Sequence, residues 1–119
     1  KMRNTRAVGT DYEKQAAEYL ETHGYHILEQ NFRCRMGEID LIAEEDGYLV
    51  FIEVKYRAGT QMGEPQEAVN FRKQQKISRA ASYYCLRHKI SPQKPCRFDV
   101  AACMGGEWTI IQNAFDYIQ

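Results

Sequence analysis

The chain has 119 residues, of which 44% are hydrophobic and 27% charged, and its formal net charge is zero. This length is typical of one domain that buries roughly two-thirds of its unfolded surface, and the composition is that of a globular protein. No apolar run exceeds five residues, so the sequence predicts no membrane-spanning helix. We predict one domain over residues 1–119, with residues 1–8 as a flexible tail.

The first predicted helix covers Asp11 to His23, where apolar side chains recur at helical spacing. Gly24 follows it, at the place where helices commonly end in the left-handed conformation. Thr10 and Glu13 fit a capping box, in which the hydroxyl and the carboxylate each bond a free amide of the first turn. Glu13 is therefore interpreted first as a capping residue.

A short strand, in YHILEQNFRCR, is predicted to lead into a hairpin whose two strands flank the turn signal Asp46-Gly47. A two-residue turn there pairs Asp40 with Glu53 and Glu38 with Lys55. Strand alternation places these four on one face. The opposite face is then wholly apolar, with Ile39, Leu41, Ala43, Val50, Ile52 and Val54.

Two opposed carboxylates, those of Asp40 and Glu53, destabilise a hairpin unless a positive charge lies between them. Carboxylate oxygens are the ligands that Mg²⁺ and Mn²⁺ prefer, so a divalent cation is the expected partner. The alternative is a solvent-facing side of the sheet with an ion pair between Glu38 and Lys55. A slip of one residue at the turn would undo the pairing.

A loop is predicted at Gly59–Pro65, and a second helix from Gln66 or Asn70 to His88. Two strands follow, CRFDVAAC and WTIIQNAF, joined by residues 104–107. The order of helix, strands, helix and strands predicts an α/β (α+β) fold with one central sheet. The second helix has two chemically different sides. Its apolar side carries Ile77, Ala81, Tyr84, Cys85 and His88. Its basic side carries Arg72, Lys76, Arg79 and Arg87, and Lys73 lies on the border between the two sides.

Charge is unevenly distributed along the chain. Residues 61–119 contain eight Lys or Arg against five Asp or Glu, and all eight lie between Arg72 and Arg97, where no acidic residue occurs. Such a segment favours binding to a polyanion. The four cysteines and three histidines have no zinc-ligand spacing, so we expect reduced thiols in a cytoplasmic protein.

Four ordered motifs, GEIDLIA, FIEVKYR, RFDVAA and NAF, together with the first helix, resemble the YraN-like family of small bacterial proteins. That family is similar to the PD-(D/E)XK nuclease superfamily and is related to archaeal Holliday-junction resolvases. The resemblance implies a restriction-endonuclease-like fold. The sequence departs from the family pattern at Tyr56, where Thr is typical, and at Tyr12, where a small residue is typical.

The resemblance also implies a catalytic site of Asp40, Glu53 and Lys55. Glu13 matches a helix residue that completes the metal site in such nucleases, which is a second interpretation beside the capping box. Mg²⁺ or Mn²⁺ would be bound by Asp40, Glu53, Glu13 and the main-chain carbonyl of Val54. Lys73 and Gln74 match a Lys-Gln position of the family, and the residues expected to contact nucleic acid are Arg57, Arg72, Lys73, Gln74, Lys76 and Arg79.

The function predicted from these features is a metal-dependent endonuclease that hydrolyses phosphodiester bonds in DNA. No base-reading module is apparent, so structure-directed or non-specific binding is expected. Two alternatives remain: a nucleic-acid-binding protein that keeps the fold without turnover, and a scaffold whose basic helix docks on an acidic protein. A homodimer is left open.

Overall fold

A computed structural model describes residues 5–57 and 69–119, with side chains from Asp11 onward. The predicted loop at Gly59–Pro65 lies outside the described residues. The elements, in chain order, are α1 (Thr5–Glu21), β1 (His26–Cys34), β2 (Gly37–Glu45), β3 (Tyr48–Arg57), α2 (Phe71–Arg87), β4 (Cys96–Met104) and β5 (Glu107–Phe115).

The five strands form one mixed sheet in the order β1-β2-β3-β4-β5. Strands β3 and β4 are parallel, whereas the other neighbours are antiparallel. Parallel neighbours need a crossover connection, and α2 lies in the one between β3 and β4. The predicted α+β class is confirmed, and the arrangement is that of a restriction-endonuclease-like fold. No helix in the described ranges is long and apolar enough to cross a membrane.

Helix α1 begins at Thr5, six residues before the predicted start. Thr10 therefore lies inside the helix, and the predicted capping box is wrong, because a capping residue must have non-helical backbone angles. The predicted tail, residues 1–8, overlaps the helix from Thr5, and residues 1–4 lie outside the described part. The helix ends at Glu21, two residues before the predicted end at His23. The left-handed conformation predicted for Gly24 is confirmed by its φ of +91°, and the Tyr25 N–H donates to the Leu20 carbonyl at 3.1 Å.

The β2–β3 hairpin has the predicted turn and register. Asp46 and Gly47 both have positive φ, at 52° and 83°, as a type I′ turn requires. The paired residues run from Glu45 opposite Tyr48 to Leu41 opposite Ile52. The pairing ends there, so the predicted strand pairs of Asp40 with Glu53 and of Glu38 with Lys55 are not formed.

Each face of the sheet carries one helix and one apolar cluster. The cluster under α1 includes Leu20, Leu41 and Ile52, and the cluster under α2 includes Phe51 and Ile77. This division follows the predicted alternation, with one correction. Ile39 was expected on the α1 face but packs in the α2 cluster with Phe32, its partner on β1. Regular alternation is lost beyond the last β2–β3 pair.

Helix α2 begins where the sequence indicates. The Asn70 carboxamide oxygen accepts the Lys73 N–H at 2.9 Å and caps the first turn. The buried residues of the helix are Ile77, Ser78, Ala80, Ala81 and Tyr84. His88, predicted on the apolar side, is exposed at the end of the helix and stacks on the Tyr84 ring. A methyl group at Gly37 would lie 3.3 Å from the Lys76 Cβ, so glycine allows β2 to begin close against α2.

Candidate active site

The candidate site lies where the β2–β3 pairing stops, between the two helices. Asp40 comes from β2, Glu53 and Lys55 from β3, Glu13 from α1 and Lys73 from α2. Of the two carboxylates that the hairpin argument identified, that of Glu53 is buried and that of Asp40 is half-buried. Four elements therefore bring acidic and basic groups together at one end of the sheet.

Asp40 bonds to the neighbouring strand β3 through its side chain. Its Oδ2 accepts the Val54 N–H at 2.8 Å. This side-chain bond explains why the regular pairing between β2 and β3 ends at Leu41 and Ile52. Burial raises the pKa of Asp40 to about 8, and the negative charges of Glu53 and Glu13 act in the same direction, while the Val54 N–H opposes them. The Asp40 carboxyl group therefore keeps its proton to a higher pH than an ordinary aspartate does.

Glu13 reaches this carboxyl group from the helix. Burial raises its pKa, and its carboxyl group lies within hydrogen-bonding reach of Asp40 and Asn31. Two carboxylates have no proton donor between them, so the contact with Asp40 is a hydrogen bond only when one of the two is protonated. The Oε1 atom of Glu13 is buried and has no hydrogen-bond partner among the described residues. Glu13 thus lies beside Asp40 at the candidate site and is not a helix cap.

Glu53 is held by two ammonium groups on the same oxygen. Its Oε2 lies 2.7 Å from the Lys73 Nζ and 3.4 Å from the Lys55 Nζ. Burial lowers the pKa of Lys73, but attraction to Glu53 and the hydrogen bond to it outweigh burial, so the pKa lies above its ordinary value. A buried carboxylate needs such partners, because an unpaired buried charge is costly. The charge of Glu53 is therefore neutralised by two lysines.

The other residues predicted for the site have different surroundings. Glu38 pairs with Arg33 at 3.6 Å, so the alternative ion pair with Lys55 is wrong: Lys55 turns to the buried Glu53. Gln74 donates to the Val69 carbonyl at 2.8 Å and stabilises the start of α2. Arg57 is exposed and donates to the carbonyl of Tyr56.

The basic face of α2 borders the carboxyl groups. Arg72, Lys76 and Arg79 are exposed. A cleft of about 370 Å³ runs between the start of β2 and the first turns of α2. Its lining residues are Gly37, Glu38, Asn70, Arg72, Lys73, Lys76 and Ile77. Lys73 lines this cleft and also contacts Glu53, so it links the two regions.

The donor set suits a hard divalent cation. The unpaired oxygen of Glu13 and the raised pKa of Asp40 both report crowded negative charge, which a cation would relieve. Among the side chains described in residues 11–57 and 69–119, however, no three carboxylate, imidazole or thiol groups are placed so that they could hold a metal ion together. Carboxylate oxygens suit such a cation, but Lys55 and Lys73 already contact the Oε2 atom of Glu53.

The RFD and NAF motifs form a separate structural network. Asp99 is fully buried, and Arg97 donates to both of its oxygens at 2.9 Å. The Tyr25 hydroxyl and the Asn113 N–H donate to it as well, at 2.7 and 2.9 Å. These four hydrogen bonds satisfy the Asp99 carboxylate. Asp99, on β4, is thereby connected to Tyr25, which follows α1, and to Asn113 on β5. The sequence reasoning did not find this network, although Arg and Asp two residues apart in an apolar strand were a signal for it.

Comparison with known proteins agrees with this arrangement of motifs. The family model of the Uncharacterised protein family UPF0102 matches residues 12–103. A UPF0102 protein of Lachnoclostridium phytofermentans is 48% identical, over 95% of this chain and 96% of its own length. Another, of Symbiobacterium thermophilum, is 47% identical, over 93% of this chain and 98% of its own. The chain therefore belongs to the UPF0102 family, which is the YraN family that its motifs resemble.

Proposed function

We propose that the protein is a metal-dependent endonuclease that hydrolyses phosphodiester bonds in DNA. The observation that carries the proposal is the convergence of Asp40, Glu53, Lys55 and Glu13 beside an exposed basic helix face. A site with several carboxyl groups and a lysine, bordered by cations, suits a polyanionic substrate whose reaction develops further negative charge.

Hydrolysis requires a water to attack phosphorus in line with the oxygen that leaves. Mg²⁺ or Mn²⁺, when bound, would supply Lewis-acid polarisation of the phosphate and a lower pKa for water. Asp40, Glu53, Glu13 and the Val54 carbonyl would hold the ion. Lys55, whose side chain is 15% exposed, would orient the attacking water or stabilise the charge on the pentavalent phosphate.

The basic face of α2 would bind the DNA backbone. Arg72, Lys76 and Arg79 are exposed on one helix next to the carboxyl groups, which suits contacts to successive phosphates and makes affinity depend on salt. Contacts of this kind position the DNA without reading its sequence. We infer structure-directed or non-specific cleavage, in the cytoplasm.

The second candidate function is nucleic-acid binding without turnover. One observation favours it: two lysines already neutralise Glu53, so this carboxylate needs no added ion. The raised pKa of Asp40 and the unpaired oxygen of Glu13 favour the enzyme, because a protein that only binds DNA gains nothing from crowded carboxyl groups.

The deciding experiment incubates the purified protein with branched, flapped, nicked and linear DNA in Mg²⁺, Mn²⁺ or EDTA. The enzyme predicts metal-dependent cleavage that is lost in Lys55→Ala and retained in Lys14→Ala, a matched change at an exposed α1 position. Binding with no cleavage in either metal would support the second function. Cleavage that persists in Lys55→Ala would indicate a contaminating nuclease and refute the assignment.

A further inference from the structure

Lys73 is the closest cation to the buried carboxylate of the site. Its Nζ lies 2.7 Å from the Glu53 Oε2, against 3.4 Å for Lys55. The two partners differ in burial: the Glu53 side chain is 4% exposed and the Lys73 side chain 44%. The pair therefore has a fixed, buried acceptor and a partly solvated donor on a long flexible stem, which can leave without exposing the core.

The same side chain borders the basic cleft. Lys73 lies in the first turn of α2, where Asn70 fixes its main chain through the capping bond. Arg72 and Lys76 line that cleft with it. Lys73 therefore has two anionic partners within reach of one backbone position: Glu53, and a phosphate group entering the cleft.

We propose that Lys73 is an exchangeable counter-ion, which neutralises Glu53 until a divalent cation binds that carboxylate and then turns into the cleft to bind a DNA backbone phosphate. This inference rests on the proposed function for the cation and the DNA. It gives Lys73 a role separate from that of Lys55, which stays beside Glu53 in both states.

The exchange follows from charge. An unpaired buried carboxylate is costly, so Glu53 needs a positive partner when no cation is bound. A divalent cation on the same carboxylate repels an ammonium a few ångströms away, and the more exposed lysine is the one that can leave. Binding of the cation and of DNA then become coupled, and the coupling is reciprocal: each raises the affinity for the other.

The test measures two affinities in wild type, Lys73→Gln and Lys76→Gln. Mn²⁺ affinity is measured by calorimetry without DNA, and the affinity for a labelled four-way junction is measured in Ca²⁺ or in EDTA at matched ionic strength. Lys76 lines the same cleft without an ion pair to Glu53, so its variant is the matched control. Circular dichroism checks that each variant is folded.

Removing the competing ammonium in Lys73→Gln should raise Mn²⁺ affinity several-fold, while Lys76→Gln leaves it unchanged. In wild type, Ca²⁺ should steepen the salt dependence of DNA binding by about one phosphate contact. In Lys73→Gln, Ca²⁺ should no longer steepen the salt dependence. In Lys76→Gln, Ca²⁺ should steepen it as in wild type, but the slope should be lower than in wild type both in Ca²⁺ and in EDTA. Should Lys73→Gln not fold, the ε-methylene NMR signals of Lys73 in wild type, assigned with Lys73→Arg, should shift on addition of Mg²⁺.

Unchanged or weaker Mn²⁺ binding in Lys73→Gln, or Lys73 signals that ignore Mg²⁺, would overturn the exchange and leave the nuclease proposal standing. Mn²⁺ binding absent from wild type and from both variants would overturn the exchange and the metal-dependent function together. The two failures are therefore distinguishable.

Discussion

The rings of Tyr12 and Tyr56 stack face to face, with centroids 3.7 Å apart and planes at 19°. The resemblance to the family leads us to expect a small residue at position 12 and Thr at position 56, and each tyrosine is next to a residue of the candidate site, Glu13 or Lys55. The contact between these two tyrosines joins α1 to the end of β3. Glu13 thus reaches Asp40 although the small residue expected before it is absent.

Removal of either tyrosine should weaken this connection. Tyr12→Ala and Tyr56→Ala should each lower the free energy of unfolding, and the double variant should lose less than the sum, with a coupling of about 0.5 to 1.5 kcal/mol. Chemical unfolding of the four proteins gives the cycle. Phenylalanine at both positions is the control and should retain the coupling, because the ring makes the stack. Strictly additive losses would show that the stack contributes nothing of its own.

The raised pKa of Asp40 should make metal-free stability depend on pH. The value is about 8 in the folded protein, against an ordinary 3.8, so its stabilising contribution is complete below pH 3.8 and is lost as pH rises through 8. Asp40→Asn keeps an acceptor for the Val54 N–H and cannot ionise. Its stability relative to wild type should therefore rise from pH 4.5 to 8.5 by up to about 5 kcal/mol, since one pKa unit corresponds to about 1.4 kcal/mol.

Chemical unfolding in EDTA at several pH values measures this difference. A difference that stays constant with pH would mean that Asp40 is ionised throughout. A loss of several kcal/mol in Asp40→Asn at every pH would make the carboxylate a structural hydrogen-bonding group and contradict the metal-site interpretation.

Added Mg²⁺ should stabilise the native protein in a pH-dependent way. A ligand that binds only the native state raises the melting temperature by mass action, and Asp40 must first lose the proton that its raised pKa retains. Thermal melting should show a larger Mg²⁺-induced increase at pH 8.5 than at pH 6, and none in Asp40→Asn. An equal increase in Asp40→Asn would place the cation elsewhere.

The exposed basic residues of α2 should set the salt dependence of DNA binding. Replacing Arg72, Lys76 and Arg79 with Gln should weaken binding and reduce the slope of log affinity against log salt by about one unit per phosphate contact. Arg87, Lys89 and Lys94 lie at the other end of the basic segment, and the same triple replacement there is the control for net charge. Equal effects of the two triple variants would show that the net charge of the protein, and not the position of these residues on α2, sets the salt dependence.

The hairpin was predictable because its determinants are local. Asp46-Gly47 specifies the turn, and the turn fixes the register as far as Leu41 and Ile52. The contact between Lys73 and Glu53 was not predictable from spacing, because it depends on how α2 packs across the sheet. The earlier start of α1 was missed because Thr10 and Glu13 imitate a cap, while no proline before them prevents a helix.

The proposed nuclease requires Asp40, Glu53 and Lys55 to act together on a phosphodiester bond. The most direct measurement is the single-turnover rate of cleavage of a branched DNA in Mn²⁺, for wild type and for Asp40→Asn, Glu53→Gln and Lys55→Ala. Glu18→Gln, a change at an exposed carboxylate of α1, is the control. We predict that each site variant loses at least about 100-fold in rate, the scale of one lost charge-stabilising group, and that the control keeps the wild-type rate. Equal rates in wild type and all three site variants would contradict the account.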